Sequence, residues 1–269
     1  MGSLNRAVGL IGAAAAALAS TALSAQAGGG AYPRAVGGNP IQKEGVVEPE
    51  AVDALKEMSA YLMSAQTLGI TSQGTMDVVT MDGQRIQLDG TTQYKIRRPG
   101  FVIDYDSDIK NRRFIYDGKT FTVYAPKLGF YSTVPAPATN SATLDAIYQK
   151  FGIALPLEDL FRWGDGSSAA RLQAFKSGYN VGTATIDGVE TDHYAFREND
   201  IDWEVWIQQG DQPLPRKLVI IDRSDASRPT FTARLDWKVN PAFTDADFKF
   251  VPDANAKPIK LATFQGMEK

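Results

Sequence analysis

From Asp187 to Arg223 the chain reads DGVETDHYAFRENDIDWEVWIQQGDQPLPRKLVIIDR, and this stretch leaves it few folds to choose among. Ile201, Trp203, Val205 and Ile207 alternate with Asp202, Glu204, Trp206 and Gln208. Successive strand residues point to opposite faces, so a period of two describes a strand with one side buried. Gly210 to Pro215 then turns the chain, and Lys217 to Arg223 returns as a β-rich partner. Upstream, Val181 to Ile186 reaches Asp187-Gly188, a strong two-residue hairpin signal, and Val189 to Arg197 runs back. Four consecutive strands thus form an antiparallel meander with one apolar face.

Composition excludes several classes of function. With 28 basic and 31 acidic residues the net charge is −3, which gives no electrostatic case for nucleic acid. There is no cysteine, so disulfides and thiolate chemistry are ruled out, and one histidine, His193, cannot build a multi-histidine metal site. The first residues read as an address. Asn5-Arg6 is a short basic head, Ala7 to Leu23 an apolar run, and Ala25-Gln26-Ala27 a small-x-small cleavage site. The run would reach ~25 Å as a helix, but its alanine-rich core is weakly hydrophobic, so residues 1–27 are expected to be a cleaved signal peptide. No cysteine follows the site to carry a lipid. The expectation is a free, soluble, unlipidated protein in the periplasm, with no stable membrane insertion after cleavage.

Residues 28–48, rich in glycine and proline without apolar period, read as a flexible tether. The folded domain is expected over 49–269. Pro49 opens a helix to about Gln66, with Val52, Leu55, Met58 (or Ser59), Leu62 and Met63 on one stripe. From Ile70 to Val134 the period is two. Met76 and Val78 precede Asp82-Gly83, Ile86 and Leu88 return, and Tyr94 and Ile96 continue that strand, with Gly90 suggesting a bulge or bend. Phe101, Ile103 and Tyr105 follow Arg98-Pro99-Gly100. Phe114 and Tyr116 meet Phe121 and Val123 across Asp117-Gly118, and Phe130 to Val134 closes the series. The other side of this sheet is expected to be wet.

Residues 139–177 read as a helical insert. Asn140 or Ser141 can cap a helix carrying Leu144, Ile147, Tyr148 and Phe151, ended by Gly152. Pro156 begins a short helix with Leu157, Leu160, Phe161 and Trp163, and Ser167 can cap a third with Leu172 and Phe175 inward. Phe231 to Trp237 makes a further strand, and Phe248 with Phe250 the last. Helix, strands, helical insert and more strands describe one α+β domain, with the helices on the sheet's dry face.

Several segments carry a family resemblance: Tyr179-Asn180-Val181-Gly182, GVETDHYAF from Gly188, DWEVWIQQGDQPLPRKLVI, and the ending DADFKFVPDANA. Asp117-Gly118-Lys119-Thr120 with Tyr124-Ala125-Pro126, and Ala154 to Leu160 (ALPLEDL), fit as well. Over roughly Pro49 to Ala262 the chain resembles a family of uncharacterised predicted periplasmic proteins, itself similar to the LolA/LolB lipoprotein-localisation superfamily. The resemblance implies a single curved antiparallel sheet, an unclosed half-barrel with helices packed on its concave face around a space for acyl chains. The tether departs from the carriers. So does the lack of a positional match for the arginine that holds the carrier lid shut, since Arg112 and Arg113 read as solvated strand residues.

Other chemistry is thinly supported. Asp104, Asp106 and Asp108 resemble a calcium loop, but Ile109 and Ile115 stand where the pattern needs glycine and a carboxylate. His193 and its neighbour Asp192 point apart on a strand, and no G-x-S-x-G elbow occurs, so a hydrolase triad is not assembled. Asp245 and Asp247 mark the turn into the last strand. Trp206, alone among the tryptophans, falls on the wet face, either covered by the C-terminal segment or exposed as a contact point.

The expectation is a non-enzymatic periplasmic binding protein without metal or cofactor. It would hold a lipid, a lipoprotein acyl chain or another apolar ligand between sheet and helices. Met76, Val78, Ile86, Leu88, Phe101, Ile103, Phe114, Tyr116, Phe121, Val123, Trp203 and Val205 would line the sheet side. Leu144, Tyr148, Phe151, Leu160 and Phe161 would form the plug. A filled core made of the same residues is the plain alternative. So is an envelope sensor or adaptor that binds another protein on a half-barrel scaffold, which an exposed apolar patch around Trp206 would favour.

Overall fold

A computed structural model describes residues 45–155, 157 and 173–263. The signal segment, most of the tether, and Leu160, Phe161, Trp163, Ser167 and Leu172 of the expected insert lie outside the described residues.

Helix α1, Pro49–Ser64, has proline in its first turn, where the missing amide costs nothing. Its buried stripe is Ala51, Leu55, Met58, Ser59 and Leu62, so the face is centred on Ala51 rather than Val52. Six strands follow: β1 (Thr67–Val79), β2 (Arg85–Arg97), β3 (Phe101–Ser107), β4 (Asn111–Tyr116), β5 (Thr120–Ala125) and β6 (Phe130–Pro135). Helix α2 spans Asn140–Phe151. Its cap is Thr139, whose side chain accepts from the amide of Ala142, not Asn140 or Ser141 as the sequence suggests. Gly152, left-handed at φ 65, closes it. A second meander comprises β7 (Ser177–Ile186), β8 (Val189–Arg197), β9 (Ile201–Gln208), β10 (Pro215–Asp222) and β11 (Thr230–Val239), and Lys257–Pro258 adds β12.

All twelve strands lie in one sheet, ordered β12-β6-β5-β4-β3-β2-β1-β11-β10-β9-β8-β7. The two meanders join where β1 pairs with β11, from Leu68↔Val239 to Met76↔Phe231. All pairs are antiparallel except β12 on β6. The result is an unclosed half-barrel of the α+β class. Turn chemistry sets the registers. Asp187 and Gly188 both take positive φ, 50 and 82, as a tight hairpin between right-twisted strands requires.

Of the bulge or bend suggested at Gly90, the bulge is not there: Gly90 faces Gly74 and the β1–β2 register runs unbroken through the pair. Aromatic rings replace the missing side chains. A Cβ on Gly74 would come within 3.2 Å of the Phe231 ring, and one on Gly90 within 3.5 Å of Tyr105. Register shifts fall instead at Asn180/Gly182 and Pro215/Lys217.

The concave face carries the main core, where Leu55, Met58 and Leu62 of α1 and Leu144, Ile147 and Phe151 of α2 meet Leu68, Ile96, Phe101, Tyr116, Trp203 and Val205. The convex face departs from the expectation of a wet surface. Val102 and Ile115 form a second core with Phe248, backed by Phe243 and Phe250. Phe248 and Phe250 therefore do not make a sheet strand; Asp245–Phe248 is a 3-10 turn that drives Phe248, fully buried, against β3 and β4. From β11 at the sheet's centre this C-terminal strap passes over the convex side to the β6 edge. Lys95 holds Asp247 at 2.6 Å, Arg97 holds Asp245, and the Arg97 guanidinium lies 4.2 Å from the Phe248 ring centre. The amide of Ile259 then donates to Tyr131 O at 2.8 Å, so the strap covers an edge that would otherwise pair with other chains.

Candidate ligand cavity

Where β2 turns into β3, the concave face is not filled. Tyr94 and Ile96 from β2 and Phe101 and Ile103 from β3 form one wall, and Met63 of α1, Leu144 of α2 and Leu155 form the other. They enclose about 390 Å³, within the ~300–1,000 Å³ typical of small-molecule sites. Exposure gives the cavity a direction. Tyr94, Ile96, Phe101, Ile103, Leu144 and Leu155 are buried at its base, whereas Arg98, Pro99, Ala138 and Thr139 are exposed at its mouth.

The mouth is held by hydrogen bonds that follow from local sequence. The Asn140 side chain accepts from the Gly100 amide at 2.8 Å and donates to Arg97 O at 2.9 Å, which ties the first turn of α2 to the β2–β3 turn. Pro137 O accepts from the hydroxyls of Tyr116 and Thr143. Arg98 reaches across to the C-terminus of α1, donating to Ala65 O, to Leu62 O at 3.1 Å and to the Met63 sulfur at 3.6 Å. Those carbonyls belong to the last turn of a helix, which leaves acceptors unpaired and partly negative. Burial pushes the Arg98 guanidinium below its ordinary value, and pushes the Tyr94 phenol at the base well above its own.

The residues read from the sequence as inward are distributed unevenly. Phe101, Ile103 and Leu144 line the cavity. Phe114, Tyr116, Phe121, Phe151, Trp203 and Val205 are buried in the adjoining core, and Val123 and Tyr148 are half-buried. Met76, Val78 and Leu88 are half-buried and Ile86 is 39% exposed, all on the far reach of the β1–β2 hairpin, away from the cavity. Leu160 and Phe161 lie outside the described residues. Sequence reasoning passed over Tyr94 and Ile96 as lining, and over Leu155, Met63 and Arg98. Tyr94 and Ile96 share a face with Leu88, so their inward direction was readable. Arg98 sits in a turn, and only the packing of α1 brings it to the site.

Other polar clusters have structural partners. Arg113 lies 3.3 Å from Asp104, and Arg112 donates to Asn111 O at 2.7 Å. Asp106 accepts from Asn111 and Lys127, and Asp108 from the Asp89 amide. His193 pairs with Glu204 at 2.7 Å rather than with Asp192, which accepts from Gln209. Its ring stacks on Trp206 with centroids 3.9 Å apart, while the Lys217 ammonium sits 4.1 Å from the Trp206 ring. Trp206 is 7% exposed, with its cross-strand neighbours His193 and Lys217 against its ring.

The family model described as "Predicted periplasmic protein (DUF2092)" matches residues 51–262. The chain belongs to this DUF2092 family. No curated protein matches it. Among solved structures, this DUF2092 chain is similar to an uncharacterized conserved protein from Thermus thermophilus, at 12% identity and TM-score 0.47, covering 78% of this chain and 98% of that one. It is similar to the lipoprotein LppX of Mycobacterium tuberculosis, at 12% identity and TM-score 0.45, over 73% and 98% of the two chains. A LolA superfamily protein from Nitrosomonas europaea follows at 10% identity and TM-score 0.37, over 74% and 97%. No described helix is long and apolar enough to cross a membrane.

Proposed function

We propose that this chain is a non-enzymatic periplasmic binding protein that holds a lipid, a lipoprotein acyl chain or another apolar ligand between its sheet and its helices. The observation that carries this reading is the cavity of about 390 Å³ at the β2–β3 turn, with mainly apolar side chains at its base, Tyr94 among them, and Arg98, Thr139 and Asn140 at its mouth. An apolar chain entering it leaves water at a gain of ~25 cal/mol per Å² buried, against walls that are already formed. A packed core admits no such guest.

The adaptor reading draws on an exposed apolar surface at Trp206, and that side chain is covered by His193 and Lys217. Cleavage after Ala27 and release as a soluble, unlipidated protein belong to the same proposal; an intact-mass measurement on exported protein that finds a chain still starting near Met1 refutes them. For the ligand, solvent extraction of purified protein followed by mass spectrometry is expected to recover an acyl-chain compound. Recovery of none, together with no uptake of a fluorescent fatty acid, refutes the carrier role.

A further inference from the structure

The cavity's mouth selects the head of its ligand, an inference that rests on the binding function proposed above. Most described arginines sit against a carboxylate: Arg85 on Asp77, Arg97 on Asp245, Arg197, Arg223 and Arg228 on Asp202. Among the described residues, Arg98 and Arg112 alone have no acid within ion-pair distance. The contacts of Arg98 are two carbonyls and a thioether, so its charge is not neutralised. A guanidinium carries five donors in a rigid fork, and these contacts leave part of that fork for another acceptor.

The volume sets the other half of the ligand. At the ~30 Å³ that one water occupies in the liquid, used as a rough scale for a methylene, 390 Å³ holds a single chain of about a dozen carbons. It does not hold the several chains of a fully acylated lipoprotein. We infer that the site takes a single-chain amphiphile with an anionic head, the chain running toward Tyr94 and Ile103 and the head on Arg98. An anionic head can be a carboxylate or a phosphate, and both match the fork.

The experiment uses the signal-cleaved protein and three monomeric C12 probes: dodecanoate, dodecyl phosphate and dodecanol. Calorimetric titration is expected to show one or both anions binding about tenfold or more tightly than the alcohol, since a charge-assisted hydrogen bond is lost with the neutral head. Whichever anion binds more tightly assigns the head chemistry. Arg98→Met is expected to erase the preference, bringing the anions down to the affinity of dodecanol, and Arg98→Lys to restore part of it. Arg112→Met, the other arginine without an acid, is expected to change nothing. Dodecanol binding as tightly as both anions overturns the head-group inference and leaves the cavity function standing. Failure of all three to bind overturns both. If Arg98→Met does not fold, the comparison of probes on the unaltered protein still decides.

Discussion

Leu144→Ala is the substitution that distinguishes a hollow interior from a filled one. Leu144 lies on the buried face of α2 and forms part of the cavity wall. Truncation removes three carbons, worth ~0.8 kcal/mol each in transfer, or about 2.5 kcal/mol together. In a close-packed core a further cost comes from the new void, which brings Leu→Ala losses toward ~5 kcal/mol. Because this side chain already borders empty space, the void term is small and the loss is expected to stay at about 2.5 kcal/mol. The comparison is Phe121→Ala. Phe121 is fully buried, its ring 6.3 Å from those of Phe101 and Phe114, and it forms no part of the cavity wall. Its loss is expected to cost ~3–5 kcal/mol. Urea unfolding with unchanged m-values measures both costs. Titration with a fluorescent fatty acid is expected to show greater uptake by Leu144→Ala and no gain for Phe121→Ala. Equal gains in uptake, or a Leu144→Ala cost matching that of Phe121→Ala, would mean that the interior is packed at this point and that no ligand space exists.

Ser59→Ala should raise stability by about 1 kcal/mol in the same assay, because the Ser59 hydroxyl is buried on α1 without a hydrogen-bond partner among the described residues; a loss of stability would show that it has one. Thr139→Ala should cost ~1 kcal/mol by removing the cap of α2, and a change within error would refute the capping role. The strap should respond to acid. Lys95 and then the Thr244 amide hold the Asp247 carboxyl below its ordinary value, and Arg97 does the same for Asp245. A carboxyl depressed on folding stabilises fully above its unfolded value of 3.8 and loses that contribution as pH falls through the folded value. Pepsin cleavage around Phe248 should therefore rise steeply as pH drops below 3.8, and at higher pH in Lys95→Met. A cleavage rate indifferent to both would show that the ion pairs do not hold the strap.

Most strands, and the inward direction of residues such as Phe101, Trp203 and Val205, were legible because they rest on local physics. Alternation at Ile201 to Gln208 assigns Trp203 and Val205 to one side, and Asp187-Gly188 sets a hairpin, whatever surrounds them. The stripe of α1 was readable to within one residue, since Ala51 and Val52 are adjacent on a helix and hydrophobicity does not separate them. Phe248 was misread for a related reason. Two aromatics spaced by two look like a strand, but Asp245 and Asp247 had partners in Arg97 and Lys95, and a pairing across ~150 residues leaves no local mark.

The cavity lies at the far end of that scale. Sequence determined that Phe101, Ile103 and Leu144 face inward, but whether inward residues meet depends on how far two helices stand from a curved sheet. Asn140 on Gly100 and Arg98 on the end of α1 fix that distance, and each is a polar side chain in a turn with no periodicity to reveal it. Alternation tells a residue which way to point; only the tertiary structure decides whether another side chain or empty space is waiting there.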